Sequence, residues 1–339
     1  MIRQAVIGAL VAGTALWAIA TACADETTLI FATINPPPAD MNQLRLHPWA
    51  DAVNKAGAGV LHIDVRDGNA IADHANFYNR VLDDVIQIAF GSQSYIGGKF
   101  PRSEVVSLPF GPPSAADGSQ AFWRLYASGI LKAEYDEIQP LVLFSFPQQS
   151  LHFAKKPASP TAVKGLKFVT SSRVAGQVMT ALGASPMSFN AQDVFTSLQR
   201  GMADGVMFPW TAMAVFKLPD VTSYQVDTSL GGAPGMLFMS KKKYLALPPA
   251  ARKILDETSG EMASRRFGET FDQESEDELA KLKGDQRQTI VALTAAQNAD
   301  WKKQTKAVLD QWEKETPDGA AVLAKYNDII ANLSSHKAE

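Results

Sequence analysis

The chain has 339 residues, of which 46% are hydrophobic and 20% charged, with a formal net charge of −3 at pH 7. This is the composition of an ordinary globular protein, long enough for two domains. Both signs of charge are spread along the sequence, with no basic stripe or polybasic segment, which argues against nucleic acid or a lipid surface as partner.

The chain opens with Met1-Ile2-Arg3, a short positive start, followed by an uncharged and mostly apolar run from Ala5 to Ala22. The run closes in Ala22-Cys23-Ala24, small residues where a signal peptidase reads, ahead of the polar Asp25-Glu26-Thr27-Thr28. A signal peptide over 1–24 and export to the periplasm are expected, leaving a soluble chain of roughly 315 residues. A permanent membrane anchor is the alternative, but a run of about 18 residues rich in Ala and Gly is short for one. Cys23 is the only cysteine and would leave with the peptide, so no disulfide is expected after export. A lipoprotein anchored through Cys23 is less favoured, because Ala20-Thr21-Ala22 lacks the large aliphatic residue usual before such a cysteine.

Thr28-Leu29-Ile30-Phe31-Ala32-Thr33 reads as a strand stopped by Asn35-Pro36-Pro37-Pro38. Helical spacing follows over Trp49 to Lys55, then a strand at Val60 to Val65 and a helix over Asp73 to Leu82. Val85 to Phe90 is a short apolar run ending at Gly91, as a buried parallel strand would. Alternating strands and helices imply an open α/β sheet, in which ligands bind at the carboxyl ends of the strands. The loops Asn35–Asp40 and Gly91–Gly98 occupy those ends. A long helix is predicted over Ala116 to Ile138 and a strand over Leu141 to Phe146. A second α/β unit then begins, with strands at Gly165 to Thr170 and Gly205 to Phe208 and helices opening at Arg173 and Asn190. Two such units predict two lobes with a cleft between them. After Pro249 the spacing predicts charged helices wrapped along the outside of both lobes.

Motifs for catalysis are missing. Gly91-Ser92-Gln93-Ser94-Tyr95 lacks the spacing of a hydrolase nucleophile elbow, and Tyr95-Ile96-Gly97-Gly98 lacks the spacing and lysine of a phosphate loop. His47, His62, His74, His152 and His336 are scattered, with none at metal-ligand spacing. Asp83-Asp84 reads as a solvated helix end. No cofactor, metal or catalytic residue is expected, and a binding protein is the economical reading.

The segment from Val163 to Trp210 is more specific. It contains Val163-Lys164-Gly165-Leu166-Lys167-Phe168, then Ala181-Leu182-Gly183-Ala184-Ser185-Pro186, then Asp193-Val194-Phe195-Thr196-Ser197-Leu198-Gln199-Arg200-Gly201-Met202-Ala203-Asp204-Gly205. This resembles the TRAP-transporter solute-binding proteins, the DctP-like family. Asp84 to Ile88, Phe100-Pro101 and Leu108-Pro109-Phe110 are similar to that family's first-lobe pattern. Met239 to Tyr244 before Leu247-Pro248 is similar to its later strand and turn.

The resemblance implies an α/β, two-lobed periplasmic-binding-protein (Venus-flytrap) fold with hinge strands and a long helix spanning both lobes. Lobe 1 is expected over 25–146 plus 235–274, and lobe 2 with the C-terminal helices over 147–234 plus 275–339. Crossings are expected near Phe146–Gln149, near Ala233–Met236 and within the long helix. It further implies a solute-binding subunit that closes on a small organic acid and delivers it to small and large integral membrane subunits. Alternatives are a binding protein of an ABC transporter or sensor system, or a periplasmic enzyme on the same fold.

The resemblance also suggests site residues. The family usually places a carboxylate-clamping arginine directly after Gly-Leu-Lys-Ile or Gly-Leu-Lys-Phe, where this chain, after Gly165-Leu166-Lys167-Phe168, has Val169. Arg173, four residues on, is the expected substitute, with a surface position as the alternative. Asn35, Ser92, Gln93 and Tyr95 lie at first-lobe strand ends, and Gln148 lies at a hinge crossing. Phe189, Phe208 and Trp210 are expected as an apolar cleft wall selecting a larger or aromatic acid, with core packing as their alternative.

Overall fold

The computed structural model describes residues 26–189 and 193–335. The expected signal peptide, Cys23, the Asn190 cap and His336 lie outside the described residues. The strands are β1 (Thr27–Ala32), β2 (Leu61–Arg66), β3 (Ile88–Ser92), β4 (Ile138–Phe146), β5 (Ser150–Phe153), β6 (Lys167–Thr170), β7 (Ser185–Met187), β8 (Gly205–Phe208), β9 (Tyr224–Asp227), β10 (Ala233–Ser240) and β11 (Thr289–Ala292). They form a five-stranded sheet ordered β2-β1-β3-β10-β4 and a six-stranded sheet ordered β11-β9-β5-β8-β6-β7. Each sheet is the floor of one lobe, in keeping with the two-lobed α/β expectation.

In the first lobe, β1 runs parallel to β2 and β3, while β10 is antiparallel to β3 and β4. β10 is buried from Pro234 to Ser240, as its place between two neighbours requires. Gly235 sits opposite Phe144, and a Cβ there would stand 2.2 Å from the Phe144 ring. The bare backbone lets Phe144 lie over the strand and stack on Phe90, with centroids 6.0 Å apart and planes at 11°.

The helices are α1 (His47–Ala56), α2 (Phe77–Leu82), α3 (Ala115–Ala127), α4 (Arg173–Ala181), α5 (Val194–Gln199), α6 (Ala212–Val215), α7 (Lys241–Ala246), α8 (Pro249–Thr258), α9 (Gly260–Gly284), α10 (Ala295–Gln304), α11 (Lys306–Glu315) and α12 (Gly319–Ser335). α9 is the spanning helix, about 37 Å long at the usual rise per residue. Phe267 and Phe271 near its start pack on Phe144 and Phe146 of the first lobe. Leu282 near its end joins the cluster under the second sheet with Val169, Val206 and Phe208. Against α3 the approach is closest at Gly268, where a Cβ would lie 2.3 Å from the Ala115 carbonyl oxygen. Four residues on, the Asp272 carboxylate accepts from the Ala115 and Ala116 amides at 2.7 and 3.0 Å and so caps α3 from outside.

Several details differ from the sequence reading. β3 starts at Ile88, because Asp84 adopts a left-handed backbone and the Gln87 side chain, through Oε1, accepts from the Ile30 amide. The helix expected to Ile138 stops at Ala127, where Gly129 takes φ +85° as a left-handed terminator, and β4 takes over from Ile138. The stretch after Pro249 is not wholly helical: the β-branched Thr289-Ile290-Val291 forms β11 parallel to β9. Finally, the C-terminal helices assigned to lobe 2 divide between lobes. α11 touches α4, whereas α12 packs along α3, burying Val322, Tyr326, Ile329 and Leu333 at helical spacing.

The chain crosses between sheets three times. Residues 147–149 join β4 to β5, residues 228–232 join β9 to β10, and α9 makes the third passage. The second crossing therefore precedes Ala233, because Ala233 to Met236 are already paired with β4.

Candidate functional site

The strand ends of both lobes converge on these crossings, and several hydrogen-bonded groups of polar side chains are set there. At the crossings themselves, Gln149 donates its amide to the Gly231 carbonyl and accepts from the Leu230 amide. Gln148 Oε1 accepts from the Gly231 amide at 2.9 Å, and the Ser171 hydroxyl donates to Gln149 Oε1 at 3.3 Å. The Phe110 amide donates to the Ser229 carbonyl at 2.7 Å, tying a first-lobe loop to the second crossing. The two hinge segments thus hold each other through backbone and amide groups, with Gln148 as expected and Gln149 beside it.

At the end of β1, Ile34 is a buried β-branched residue at φ +58°, a strained conformation of the kind that concentrates at functional sites. The strain turns Asn35 toward Asn42, whose Oδ1 accepts from Asn35 Nδ2 at 3.1 Å. Asn42 Nδ2 in turn donates to Asp67 Oδ1 at 3.0 Å, and Thr33 Oγ1 and His47 Nε2 reach the same oxygen at 2.9 and 3.0 Å. Asn42 opens a short π-helical turn, Asn42–Leu46, that carries Arg45. Arg45 is fully buried, donates to Glu274 Oε2 of α9 at 2.6 Å and lies 3.5 Å over the Phe271 ring. Burial lowers the basicity of Arg45 and pushes the Glu274 carboxyl up, and their mutual attraction opposes both shifts.

At the end of β3, Ser92 caps the next turn through its hydroxyl, while Gln93 is buried and Tyr95 is half-exposed against His74. Gln93 Nε2 donates to the Tyr135 hydroxyl at 2.7 Å and approaches Met236 Sδ at 3.7 Å.

In the second lobe, Phe208 and Trp210 pack into the cluster under the sheet, 7% and 6% exposed, with Phe189 against its edge. Trp210 Nε1 donates to Asp227 Oδ1 at 3.0 Å, which also accepts from the Ser150 hydroxyl at 3.3 Å. The Trp210 ring meets His152 edge-on at 5.1 Å. His152 is fully buried, its Nδ1 2.7 Å from Gln225 Oε1 and its Nε2 3.0 Å from the Phe208 carbonyl. Burial pushes the imidazole down to about 4, and the two acceptors only partly oppose this.

Arg173 opens α4, with Ser172 as cap. Its guanidinium donates to Glu104 of the first lobe at 3.3 Å and to Glu315 at the end of α11 at 3.1 Å. Rather than standing free, it is shared between two carboxylates, one from each side of the crossing. The structure therefore groups Gln148, Ser92 and Gln93 at the hinge, Asn35 in the Asp67 network, and the aromatics in one second-lobe cluster. Sequence reading overlooked Arg45, Gln149, Asp227 and the role of His152. For Gln149 and Asp227 a signal existed, since Gln149 lies in the first crossing just before β5 and Asp227 ends β9 at the second. Arg45 and His152 carried none, because their partners are 229 and 73 positions away. Among the described residues, no group of His, Cys, Asp or Glu could hold a metal ion.

Comparison with known proteins is consistent across sequence and structure. The profile of the bacterial extracellular solute-binding proteins, family 7, matches residues 31–315. The outer membrane transporter protein TsaT of Comamonas testosteroni is 26% identical over 246 residues, covering 70% of this chain and 72% of that protein. A TRAP solute-binding protein from Rhodoferax ferrireducens, crystallised with copurified benzoate, superimposes with a TM-score of 0.84 at 26% identity, over 92% of this chain and 99% of that one. A marine metagenome TRAP solute-binding protein specific for aromatic acids, in complex with metahydroxyphenylacetate, gives 0.83 at 27% identity over 91% and 99%.

Proposed function

This chain belongs to the bacterial extracellular solute-binding proteins of family 7, the solute receptors of TRAP transporters, and we propose that it captures an aromatic or similarly apolar organic acid between its two lobes. The observation that carries this reading is the likeness, over nine-tenths of the chain, to relatives holding benzoate and metahydroxyphenylacetate. Phe208 and Trp210, expected as a cleft wall, are buried in the core cluster under the second sheet, so they do not carry this reading. The acid is handed to a small and a large membrane subunit after an export step directed by residues 1–24.

Arg173 is proposed to act in closure. Its bond to Glu104 joins the lobes, so it strengthens when ligand brings them together. A direct clamp on the ligand's carboxylate would compete with Glu104 and Glu315 for the guanidinium; without such a clamp the carboxylate is met by hydroxyls and amides of the strand ends.

The test is to denature the purified protein and identify the released small molecules by mass spectrometry. An aromatic acid in stoichiometric amount is the expected result. Release of a sugar, an amino acid or a short aliphatic dicarboxylate would overturn the proposal.

A further inference from the structure

Gln93 stands at the carboxyl end of β3, beside the second crossing, and its amide is oriented by a directional relay that begins 41 positions downstream at Glu134. The Glu134 carboxylate accepts from the Arg102 and Ser103 amides and from the Ser103 hydroxyl, the last at 2.7 Å. The single hydroxyl proton of Ser103 is thereby committed to Glu134. Tyr135 lies 3.0 Å from Ser103 Oγ and must be the donor in that bond. With its proton so used, the Tyr135 oxygen can only accept, and it does so from Gln93 at 2.7 Å. The nitrogen of the Gln93 amide is therefore fixed toward Tyr135, its second proton facing Met236 Sδ.

This assignment leaves Gln93 Oε1 on the opposite side, buried and without a partner among the described residues. Ser94 Oγ and Ser107 Oγ are buried and unpartnered as well. The three belong to turns that surround the start of β10: Ser107 offers its carbonyl to the close approach of Gly231, and Ser92, one residue before Gln93, pairs with Gly235. Leaving a buried acceptor unmade costs about 1–3 kcal/mol, and among the unpartnered buried atoms Gln93 Oε1 is the one that a relay orients at a strand end bordering the crossing.

We propose that Gln93 Oε1 is the acceptor for a hydrogen-bond donor carried by the ligand, a ring hydroxyl or amine, so that the protein selects hydroxylated aromatic acids over their unsubstituted parents. The inference rests on the aromatic-acid reading above and adds the substituent. Glu134, Ser103 and Tyr135 act as positioning residues, since they orient the amide without touching the ligand. A site built to bond a hydroxyl rejects the analogue that lacks it far better than an apolar pocket rejects one extra group.

The experiment is calorimetric titration of the purified protein with benzoate, the three hydroxybenzoates, 3-methoxybenzoate and the corresponding phenylacetates. At least one hydroxylated acid should bind roughly tenfold or more tighter than its parent, and the methoxy analogue, which accepts but cannot donate, should not recover the gain. In Gln93→Met the ratio of affinities for the hydroxylated acid and its parent should collapse toward one. In Tyr135→Phe, where the amide is free to turn over, it should fall part of the way. Equal affinities across the unmodified protein's panel would mean that only water meets Gln93 Oε1 and would overturn the inference. So would a ratio unchanged in Gln93→Met with cooperative melting retained. Failure of every aromatic acid to bind would remove the premise itself, and this inference with it, a result distinguishable from equal binding.

Discussion

Replacing His152 by Asn should flatten the acid side of the protein's stability profile. In the folded chain the imidazole is fully buried between Gln225 Oε1 and the Phe208 carbonyl. The Gln225 amide is itself fixed, because its nitrogen donates to Thr222 Oγ1 and to Gln288 Oε1 at 3.1 and 2.7 Å. Both ring nitrogens therefore face acceptors, yet burial wins and holds the ring neutral down to about 4, against 6.5 for a free histidine. The sign follows from proton counting. Between those two values the unfolded chain binds a proton that the folded chain refuses, so stability falls as pH drops from 6.5 toward 4 and is level outside that window. One proton over that interval amounts to roughly 3 kcal/mol. The carboxyls of Glu134, Asp272 and Glu274 are pushed up by burial and act in the opposite direction. The histidine's share is therefore read as the difference between parent and variant. Urea melts followed by tryptophan fluorescence at pH 7, 6, 5 and 4 should show the parent losing about 3 kcal/mol more than His152→Asn over the range. The variant should be less stable at pH 7, having lost packing against Trp210. Parallel profiles, or an NMR titration placing the His152 ring near 6.5, would refute the reasoning.

Gly268→Ala should cost about 1–3 kcal/mol or more, measured by urea denaturation, because its Cβ would meet the α3 backbone at 2.3 Å where nothing flexible can yield. Asp272→Ala removes the acceptor for two α3 amides, and a loss of about 1–2 kcal/mol is expected in the same assay. For the closing pair, a double-mutant cycle on ligand affinity with Arg173→Ala and Glu104→Gln should give a coupling of about 0.2–1 kcal/mol that fades as salt is raised. A loss in Arg173→Ala confined to carboxylate ligands and spared for their amides would instead assign the guanidinium to the ligand. Trp210→Ala should cost about 3–5 kcal/mol of stability in urea denaturation, as a buried ring, while a tenfold loss of affinity confined to aromatic acids would bring the ring to the ligand instead.

The sequence carried the architecture because the signals involved were local. Alternating strand and helix patterns announced two α/β units, and the Leu198–Gly205 run lies across the end of α5 and the start of β8. The first hinge crossing was legible from the break between Phe146 and Ser150. The terminus of α3 was harder: Gly129 is a stop only when its φ turns positive, and helical spacing beyond it is accidental. β11 was hidden because its stability comes from pairing with β9, some 65 positions earlier. At the site the limit was different in kind. Arg173 could be marked as a cation of the right reach, but its carboxylate partners at 104 and 315 are set by tertiary packing alone. Likewise Gln93 could be placed at a strand end, while the relay that aims its amide exists only once Glu134, Ser103 and Tyr135 are assembled.

The most direct test of the central claim is the melting temperature of the purified protein against a panel of aromatic acids, aliphatic mono- and dicarboxylates and neutral aromatic analogues. A true ligand at about 100 times its dissociation constant adds roughly 2.7 kcal/mol, a rise of several degrees for a protein of this size. The account predicts that aromatic carboxylates give the large shifts, with hydroxylated ones foremost. Stabilisation by succinate or another small dicarboxylate, with none from the aromatic acids, would contradict it.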